Sequence, residues 1–479
     1  MRRHPPVAVA ALAVALLAAG CTNVLEGKAV SIYADPYRVA GMPATDGPTG
    51  LRSDAPAPTR EVLNTDGGEI DTVSAQSISD AEEFWKDAYG QTFDNEFEPV
   101  EEWISWDADG KDYKFCGRST EGSENAFYCY RDNTIGWDRG DFVPRYADPF
   151  GDIGIVSIFS HEYGHAIQRM AQLIEPNTAD IVKEQQADCF AGVYLRWVAE
   201  GHSPRFTMST GEGLNQLLAA IVMNRDPVMA ADDPDLTENE HGSGFDQISA
   251  TQMGFIDGAS AGAEIDKEEI EQRRGTLPIG LERGASGEFP VDQQSVEVIV
   301  EALTMLFSPA DPPQLSFDAA SAESCQDARP SPPVSYCPAT NTIAVDLPAL
   351  QEMGAAPEDG PRTVMALGDN AAYSVLTSRF MLAIEKQHGK ALDNAQAALR
   401  TACLTGVATA KLSEPVTVSD GHTIQLTAGD LDEAVSGILT NGLAAADVNG
   451  TSVPAGFSRV DAFRNGVIGD QDRCFKRYP

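Results

Sequence analysis

The sequence predicts an α+β, mostly helical protein in which two similar domains follow one another. Apolar residues recur at helical spacing through long segments, among them Ile155, Val156, Ile158 and Phe159. Several short patterns of the first half also return in the second half, in the same order. A chain of 479 residues is long enough for two or three domains.

The first twenty residues are typical of an export signal. A basic start, Met1-Arg2-Arg3, precedes small and apolar residues from 7 to 19, a stretch too short to span a membrane. It ends in LAAGC at 17–21, which resembles a bacterial lipoprotein processing site. We therefore expect residues 1–20 to be removed and Cys21 to carry a lipid that anchors the protein to the extracytoplasmic face of the cell membrane. An ordinary signal peptide with an incidental cysteine is the alternative.

Residues 21–75 are predicted to be a flexible tether, because they contain several prolines and few large apolar side chains. A role for this stretch as a pro-segment over a functional site stays open. The formal net charge of the chain is −38, which argues against nucleic acid as a partner and against adhesion to anionic lipid. Membrane attachment is therefore expected through the lipid alone.

A metal-binding pattern, His161-Glu162-Tyr163-Gly164-His165, lies within one of the predicted helices. Residues four apart share a helix face, so both imidazoles can bind one ion from the same side. The glutamate between them can then act on a metal-bound water. Alone, the pattern is also compatible with a solvated charged helix face.

A second predicted helix supplies a third ligand. Glu184 follows His165 after eighteen intervening residues, and Asp188 shares its helix face. A catalytic zinc site uses three protein ligands and leaves a position for water, so Glu184 completes the set. Asp188 suits the role of accepting an N–H from a ligand histidine. Cys189 as a ligand is the alternative, but Glu184 has the better spacing.

These two segments resemble the bacterial neutral zinc metallopeptidases, over roughly residues 80–260. The segments that carry the resemblance are His161–Gln168, Gln186–Gly192, Phe127–Cys129, Asn133–Ile135, His241–Ser243 and Gln247. The resemblance implies a zincin-like fold, one zinc ion per chain and peptidase activity. It makes His161, His165 and Glu184 the zinc ligands and Glu162 the general base. Where the family carries an arginine in the helix after His-Gly-Ser, this chain has Gln247-Ile248-Ser249-Ala250.

The expected activity is the hydrolysis of peptide or protein substrates by a zinc-bound water that Glu162 activates. His241 is a candidate donor to the oxyanion of the transition state, with a structural histidine as its alternative. Two other functions stay open. One is a zinc-binding but non-proteolytic scaffold of the cell envelope, and the other is a binding module in which the site is a relic.

The cysteines predict disulfides, as expected in an oxidising compartment. Natural pairs by spacing are Cys116 with Cys129 and Cys325 with Cys337. A bridge between Cys403 and Cys474 is a further hypothesis, which leaves Cys189 as a buried free thiol.

The second half resembles a copy of the first that has lost its metal ligands. The repeated patterns are Tyr128-Cys129 with Tyr336-Cys337, Asn133–Ile135 with Asn341–Ile343, Gly151-Asp152 with Gly368-Asp369, Cys189–Val193 with Cys403–Val407, and Gly244-Phe245 with Gly456-Phe457. Alignment puts Ser378, Arg379 and Leu382 at the positions of His161, Glu162 and His165, and Ala398 and Ala402 at those of Glu184 and Asp188. Chance similarity of short segments is the alternative. We predict a metallopeptidase domain at 76–262, a connector at 263–290 and a degenerate domain at 291–479.

Overall fold

The computed structural model describes residues 34–230, 241–281, 287–355 and 368–479. The predicted signal, Cys21 and the first part of the predicted tether lie outside these residues. Roughly half of the described residues are helical and the sheets are small, which confirms the α+β, mostly helical class. Among the described residues, no helix has both the length and the apolar character needed to cross a bilayer.

The first half places short strands around four long helices and several shorter ones. Its strands are β1 (Arg38–Val39), β2 (Met42–Pro43), β3 (Gly50–Leu51), β4 (Val62–Leu63), β5 (Glu102–Trp106), β6 (Lys114–Phe115), β7 (Arg118–Ser119), β8 (Ala126–Cys129), β9 (Thr134–Asp138) and β10 (Phe206–Thr207). Its helices are α1 (Glu69–Ala88), α2 (Phe142–Phe150), α3 (Asp152–Ala171), α4 (Asp180–Ala199), α5 (Glu212–Met223), α6 (Gly244–Asp257), α7 (Ala259–Glu264) and α8 (Lys267–Arg274).

The second half has a similar order of elements. Its strands are β11 (Gln314–Ser316), β12 (Val334–Cys337), β13 (Thr342–Val345), β14 (Val416–Thr417) and β15 (Thr423–Ile424). Its helices are α9 (Gln293–Phe307), α10 (Leu347–Met353), α11 (Asp369–Gln387), α12 (Ala395–Leu412), α13 (Asp430–Thr440), α14 (Gly456–Val467) and α15 (Gln471–Arg477).

The prediction of a flexible tether is wrong over residues 34–75. Strand β3 pairs with β10, β4 joins the main sheet of the first half, and the predicted boundary at 75 falls inside α1. Hydrogen bonds take the place of a large apolar surface: the Leu51 amide donates to Asp152, and the Thr45 amide donates to Thr210. The composition of residues 34–75 did not predict this packing, because polar side chains and backbone groups supply the contacts.

The main sheet of the first half has the strand order β4-β5-β9-β8. Strands β4, β5 and β9 run parallel, whereas β8 pairs antiparallel with β9 and forms an edge of the sheet. Helix α3 packs beside β8, and α1 packs on α3. The core between them contains Trp137 and Phe159, whose rings meet edge to face with centroids 5.2 Å apart. Burial of such aromatic rings holds α3 against the sheet.

The second half repeats details of this arrangement. Strand β13 pairs parallel with β11 and antiparallel with β12, as β9 does with β5 and β8. The Tyr128 hydroxyl donates to Asn133 at 2.8 Å, and the Tyr336 hydroxyl donates to Asn341 at the same distance. Both asparagines have φ of 52°, the left-handed conformation that asparagine tolerates in a hairpin turn.

Three disulfides join the cysteine pairs that the sequence predicts. They are Cys116–Cys129, Cys325–Cys337 and Cys403–Cys474. Cys189 is free and buried, and burial raises the pKa of its thiol. This thiol is therefore protonated and unreactive at neutral pH.

Each half supplies a hydrogen-bond acceptor to the start of a helix in the other half. The Phe245 amide, in the first turn of α6, donates to Asp432 of α13 at 2.9 Å. The Gly456 amide, at the start of α14, donates to Asn215 of α5 at 2.7 Å. Asn215 and Asp432 hold matching places in the two halves, so the exchange is reciprocal. Because Asp432 is buried, its loss leaves a helix N–H without a partner.

We expect Asp432→Ala to lower the free energy of unfolding by about 1–3 kcal/mol, because a buried amide loses its acceptor. Asp432→Asn keeps an acceptor oxygen, as Asn215 does, and is expected to retain most of the stability. Denaturant unfolding monitored by circular dichroism measures both, with the exposed Asp420→Ala as the control. Equal stability of the two alanine variants would contradict the role of Asp432.

Candidate metal centre

Two buried helices, α3 and α4, meet at the metal-binding pattern His161–His165. Gly164 lies between the two histidines of that pattern and faces the backbone of Ala187 on α4. A Cβ atom at position 164 would lie 2.5 Å from the Ala187 carbonyl oxygen, closer than atoms tolerate. Glycine at this position therefore permits the short distance between the helices, and the side chains of the two helices converge.

His161, His165 and Glu184 form a group that could hold a metal ion. The Nε2 atoms of His161 and His165 lie 3.1 and 3.4 Å from Glu184 Oε2. Ligand atoms with tetrahedral zinc bonds of 2.0–2.1 Å stand about 3.3 Å apart, so the separations fit such an ion. Two imidazoles and one carboxylate are also a donor set typical of catalytic zinc.

The outer nitrogen of each histidine has a hydrogen-bond acceptor. His161 Nδ1 lies 2.8 Å from Asp188 Oδ1, the role that the sequence predicts for Asp188. His165 Nδ1 lies 2.8 Å from Gln168 Oε1 and 3.0 Å from the Tyr130 hydroxyl. With protons on Nδ1, both Nε2 lone pairs point toward Glu184, which is the tautomer that metal binding requires.

The histidines and the carboxylates of the group stabilise each other's charged forms. Burial alone lowers the pKa of His161, but the carboxylates of Asp188 and Glu184 outweigh it and hold that pKa well above its ordinary value. Burial raises the pKa of Glu184, yet the two histidines outweigh it and hold that pKa well below the ordinary range. Glu184 is therefore an ionised carboxylate, the form that binds a cation.

Glu162 is buried beside the two histidines, and its Oε2 atom accepts a hydrogen bond from the Tyr128 amide of β8 at 2.8 Å. Burial raises the pKa of its carboxyl group, while His161 and His165 act in the opposite direction. A carboxylate whose pKa is raised is a stronger proton acceptor, as a general base needs.

His241 reaches the same site from the segment that precedes α6. Its Nε2 atom lies 3.7 Å from Glu184 Oε2, and its Nδ1 atom lies 3.3 Å from Asp226 Oδ1. Burial lowers the pKa of His241, but the hydrogen bond to Asp226 and the charge of Glu184 raise it to about 9. The side chain of Gln247 donates to the Asn224 carbonyl at 3.2 Å and so ties α6 to the end of α5, close to Asp226 in the chain.

The structure therefore brings together all six residues that the sequence predicts for the site. It adds four that the sequence reasoning did not assign: Tyr130, Gln168, Asp226 and Asn224. Gln168 had a signal, because it stands one helical turn after His165. A cavity of about 50 Å³, enough for water, lies beside the group. Its lining includes Ala126, Tyr146, His161, Glu162, Asn224 and His241.

The corresponding positions of the second half carry different chemistry. Arg379, aligned with Glu162, is fully buried and donates from Nε to the Val334 carbonyl at 2.9 Å. Ser378 and Leu382 are buried on the same helix, and Ala398 and Ala402 are buried on α12. None of these side chains except serine offers a metal ligand, so this set cannot hold zinc as the first half does.

Searches of the models of known protein families, of curated proteins and of solved structures find no match to this chain. The relation to the neutral zinc metallopeptidases is therefore a resemblance at the residues named above.

Removal of the Glu184 carboxylate should abolish metal binding, because an amide is a poor ligand for zinc and the two histidines alone bind it weakly. We expect about one zinc ion per chain in the wild type and close to none in Glu184→Gln. Elemental mass spectrometry of the purified proteins measures the content. Glu268→Gln, an exposed residue of α8 with the same change of charge, is the control. Equal zinc in both variants would contradict the assignment.

Gly164→Ala should weaken metal binding without removing a ligand, because the added methyl group forces α3 away from Ala187. Misplacement on this scale is expected to lower zinc affinity by on the order of a hundredfold. Competition with a chromogenic chelator measures the affinity. Gly90→Ala, where a Cβ atom meets nothing within 4 Å, is the matched control. Unchanged affinity in Gly164→Ala would show that the helix spacing is not limiting.

Proposed function

We propose that this protein is a zinc-dependent peptidase of the extracytoplasmic face of the cell membrane, anchored there by a lipid on Cys21. One observation carries the proposal. Three side chains with the donor atoms that zinc prefers project from two helices toward one point. A buried glutamate lies directly beside them. His161, His165 and Glu184 would hold one zinc ion.

Zinc in such a site acts as a Lewis acid that polarises a carbonyl group and brings the pKa of water near 7. The side chains around the ligands keep the site ready for that ion. Asp188 and Gln168 accept hydrogen bonds from the outer nitrogens of His161 and His165 and fix both rings.

Glu162 moves the proton in the proposed reaction. Its carboxylate takes a proton from the attacking water as the oxygen–carbon bond forms. The same carboxyl group then gives that proton to the leaving nitrogen as the carbon–nitrogen bond breaks. The Tyr128 amide holds one carboxylate oxygen, so the other oxygen is the one that exchanges the proton.

His241 is placed to stabilise the negative charge that develops on the substrate oxygen. Its side chain is about half exposed, at 47 %, and lines the same cavity as Glu162. The carboxylate of Asp226 favours its protonated form, which donates from Nε2. Asp226 thus acts as a positioning residue through His241.

The edge strand β8 supports an extended peptide as the substrate. Its outer edge faces the site, because the Tyr128 amide on that edge donates to Glu162. Ala126, on the same strand, lines the cavity with His161 and Glu162. A peptide that pairs with an exposed strand edge gains backbone hydrogen bonds, and here it would bring a carbonyl group toward the histidines.

Three disulfides support the proposed compartment, because structural disulfides persist in oxidising surroundings and are rare in the cytosol. The proposed lipid on Cys21 would then attach the folded part of the protein to the outer face of the membrane.

Glu162→Gln should bind zinc as the wild type does but lose turnover by a factor of about 10²–10⁴, because the amide cannot accept the proton. A fluorogenic peptide library, assayed with and without a chelator, measures activity, and elemental analysis measures zinc. Glu268→Gln is the control for a lost exposed carboxylate. Full activity of Glu162→Gln would contradict the proposed role of Glu162 as the general base. Zinc in the wild type without cleavage of any peptide would favour the scaffold function.

A further inference from the structure

A second cavity, of about 280 Å³, lies in the second half between α9, α11, α12 and the segment that follows β15. Apolar side chains form much of its wall: Phe289, Ile299, Leu412, Ile424 and Leu426. Pockets for drug-sized ligands hold about 300–1,000 Å³, so this cavity has room for one small organic molecule.

Carboxylates gather at one side of the cavity. Asp369 and Asp430 belong to its lining, and oxygens of Glu288, Asp369 and Glu433 lie within 4.8 Å of one another. Some of these oxygens have structural partners: Glu433 accepts from the Asn370 amide at 2.8 Å, and Asp369 Oδ2 accepts from the Phe289 amide. The other oxygen of Asp369, Oδ1, has no hydrogen-bond partner although the residue is only 4 % exposed.

A second polar atom in the cavity wall also lacks a partner. Ser374 is 2 % exposed, it belongs to the lining, and its Oγ atom makes no hydrogen bond. A buried polar atom without a partner destabilises a fold by about 1–3 kcal/mol. Both atoms are therefore free to hydrogen-bond a polar ligand in the cavity.

Three polar residues of the cavity wall replace apolar core residues of the first half. By the alignment of the two halves, Asn370, Tyr373 and Thr409 of the cavity wall stand where the first half has Ile153, Val156 and Leu195. These three residues of the first half are fully buried in its core. The second half therefore carries polar groups where an apolar core is the stable solution.

The surroundings of Asp369, Asp430 and Glu433 disfavour the ionised forms of these three carboxyl groups. Burial raises the pKa of Asp369 to about 6, of Asp430 to about 8 and of Glu433 to about 9, and mutual repulsion adds to it. Within the described part of the chain, none of these three forms an ion pair with a lysine or arginine. A bound cation would lower these pKa values and favour the ionised carboxylates that hold it.

We propose that the second half binds a small organic cation in this cavity. Its ammonium group lies against Asp369 and Asp430 and donates to Asp369 Oδ1 and Ser374 Oγ. Its apolar body lies among Phe289, Ile299 and Leu412. A bare metal ion fits these observations less well, because it would leave the apolar part of the cavity without contacts.

Isothermal titration calorimetry on the full chain tests this site. The probes are benzylamine, phenethylamine and hexylamine, each beside the alcohol of the same skeleton, and Ca²⁺ alone. We expect at least one amine to bind about tenfold more tightly than its alcohol, because a charge-assisted hydrogen bond is lost in the alcohol. Asp369→Asn should weaken that amine by about tenfold or more, whereas the exposed control Asp420→Asn should not.

A second variant guards against misfolding of Asp369→Asn. Thr409→Leu restores the residue of the first half, fills the cavity without a change of charge and is expected to fold and to abolish amine binding. The proposal is overturned if no amine binds, if alcohols bind as tightly as amines, or if Ca²⁺ binds and amines do not. Amine binding that survives both variants would also overturn it. None of these outcomes depends on the metal centre of the first half.

Discussion

Direct contact between helix backbones is the constraint on which the metal centre depends. Helix α4 carries Glu184 and is held between two neighbours without intervening side chains. On one side Gly164 of α3 meets the Ala187 backbone, and on the other side Gly192 and Gly254 bring α4 and α6 together. Any larger residue at these places would meet a backbone carbonyl. The carboxylate therefore stands at a fixed distance from the two histidines, which a coordination site needs.

The second half keeps one of these contacts and lacks the other. Gly406 and Gly466 bring α12 and α14 together as Gly192 and Gly254 do in the first half. Position 164, however, corresponds to Met381, which is fully buried. A methionine side chain does not fit the space between helix backbones that Gly164 occupies, so the second half has lost both the ligands and the glycine between them.

The buried polar contact between these helices also changed in kind. In the first half Gln168 donates to Gln186 at 3.2 Å, behind the ligand His165. At the aligned positions Arg400 donates to Glu385 at 2.7 Å, and both side chains are fully buried. An ion pair in this place is stable only with good geometry, and Thr401 supplies a further hydrogen bond to Glu385. The second half thus uses for structure a position that the first half uses to orient a ligand.

The sequence predicted the parts of the site that local spacing determines. His161, Glu162 and His165 share one helix, and Glu184 and Asp188 share another, so the period of the helix is sufficient to group them. Residues that reach the site from other elements carry no such signal. Tyr130 contacts His165 from the end of β8, and Asp226 contacts His241 from the end of α5, and only the tertiary fold shows these contacts.

Composition did not predict the order of residues 34–68, because the short strands there pack on the protein through backbone hydrogen bonds. A two-residue strand such as β3 has too few side chains to show a period, and its partner β10 is more than 150 residues away. The disulfide pairs were easier to predict from the sequence, because two of the three join cysteines only 12 and 13 residues apart. The fold class followed from long periodic helices, whereas the course of residues 34–68 required the structure.

Reciprocal capping explains why a half without metal ligands keeps its fold. Asp432 of α13 accepts from the Phe245 amide, so the second half holds the beginning of α6. The segment just before α6 carries His241, and the Gly242 amide there donates to Asp226 at 2.9 Å. A disordered second half would release the start of α6 and with it the residues that place His241. The second half can therefore lose zinc binding, but it cannot lose α13 without disturbing the metal centre of the first.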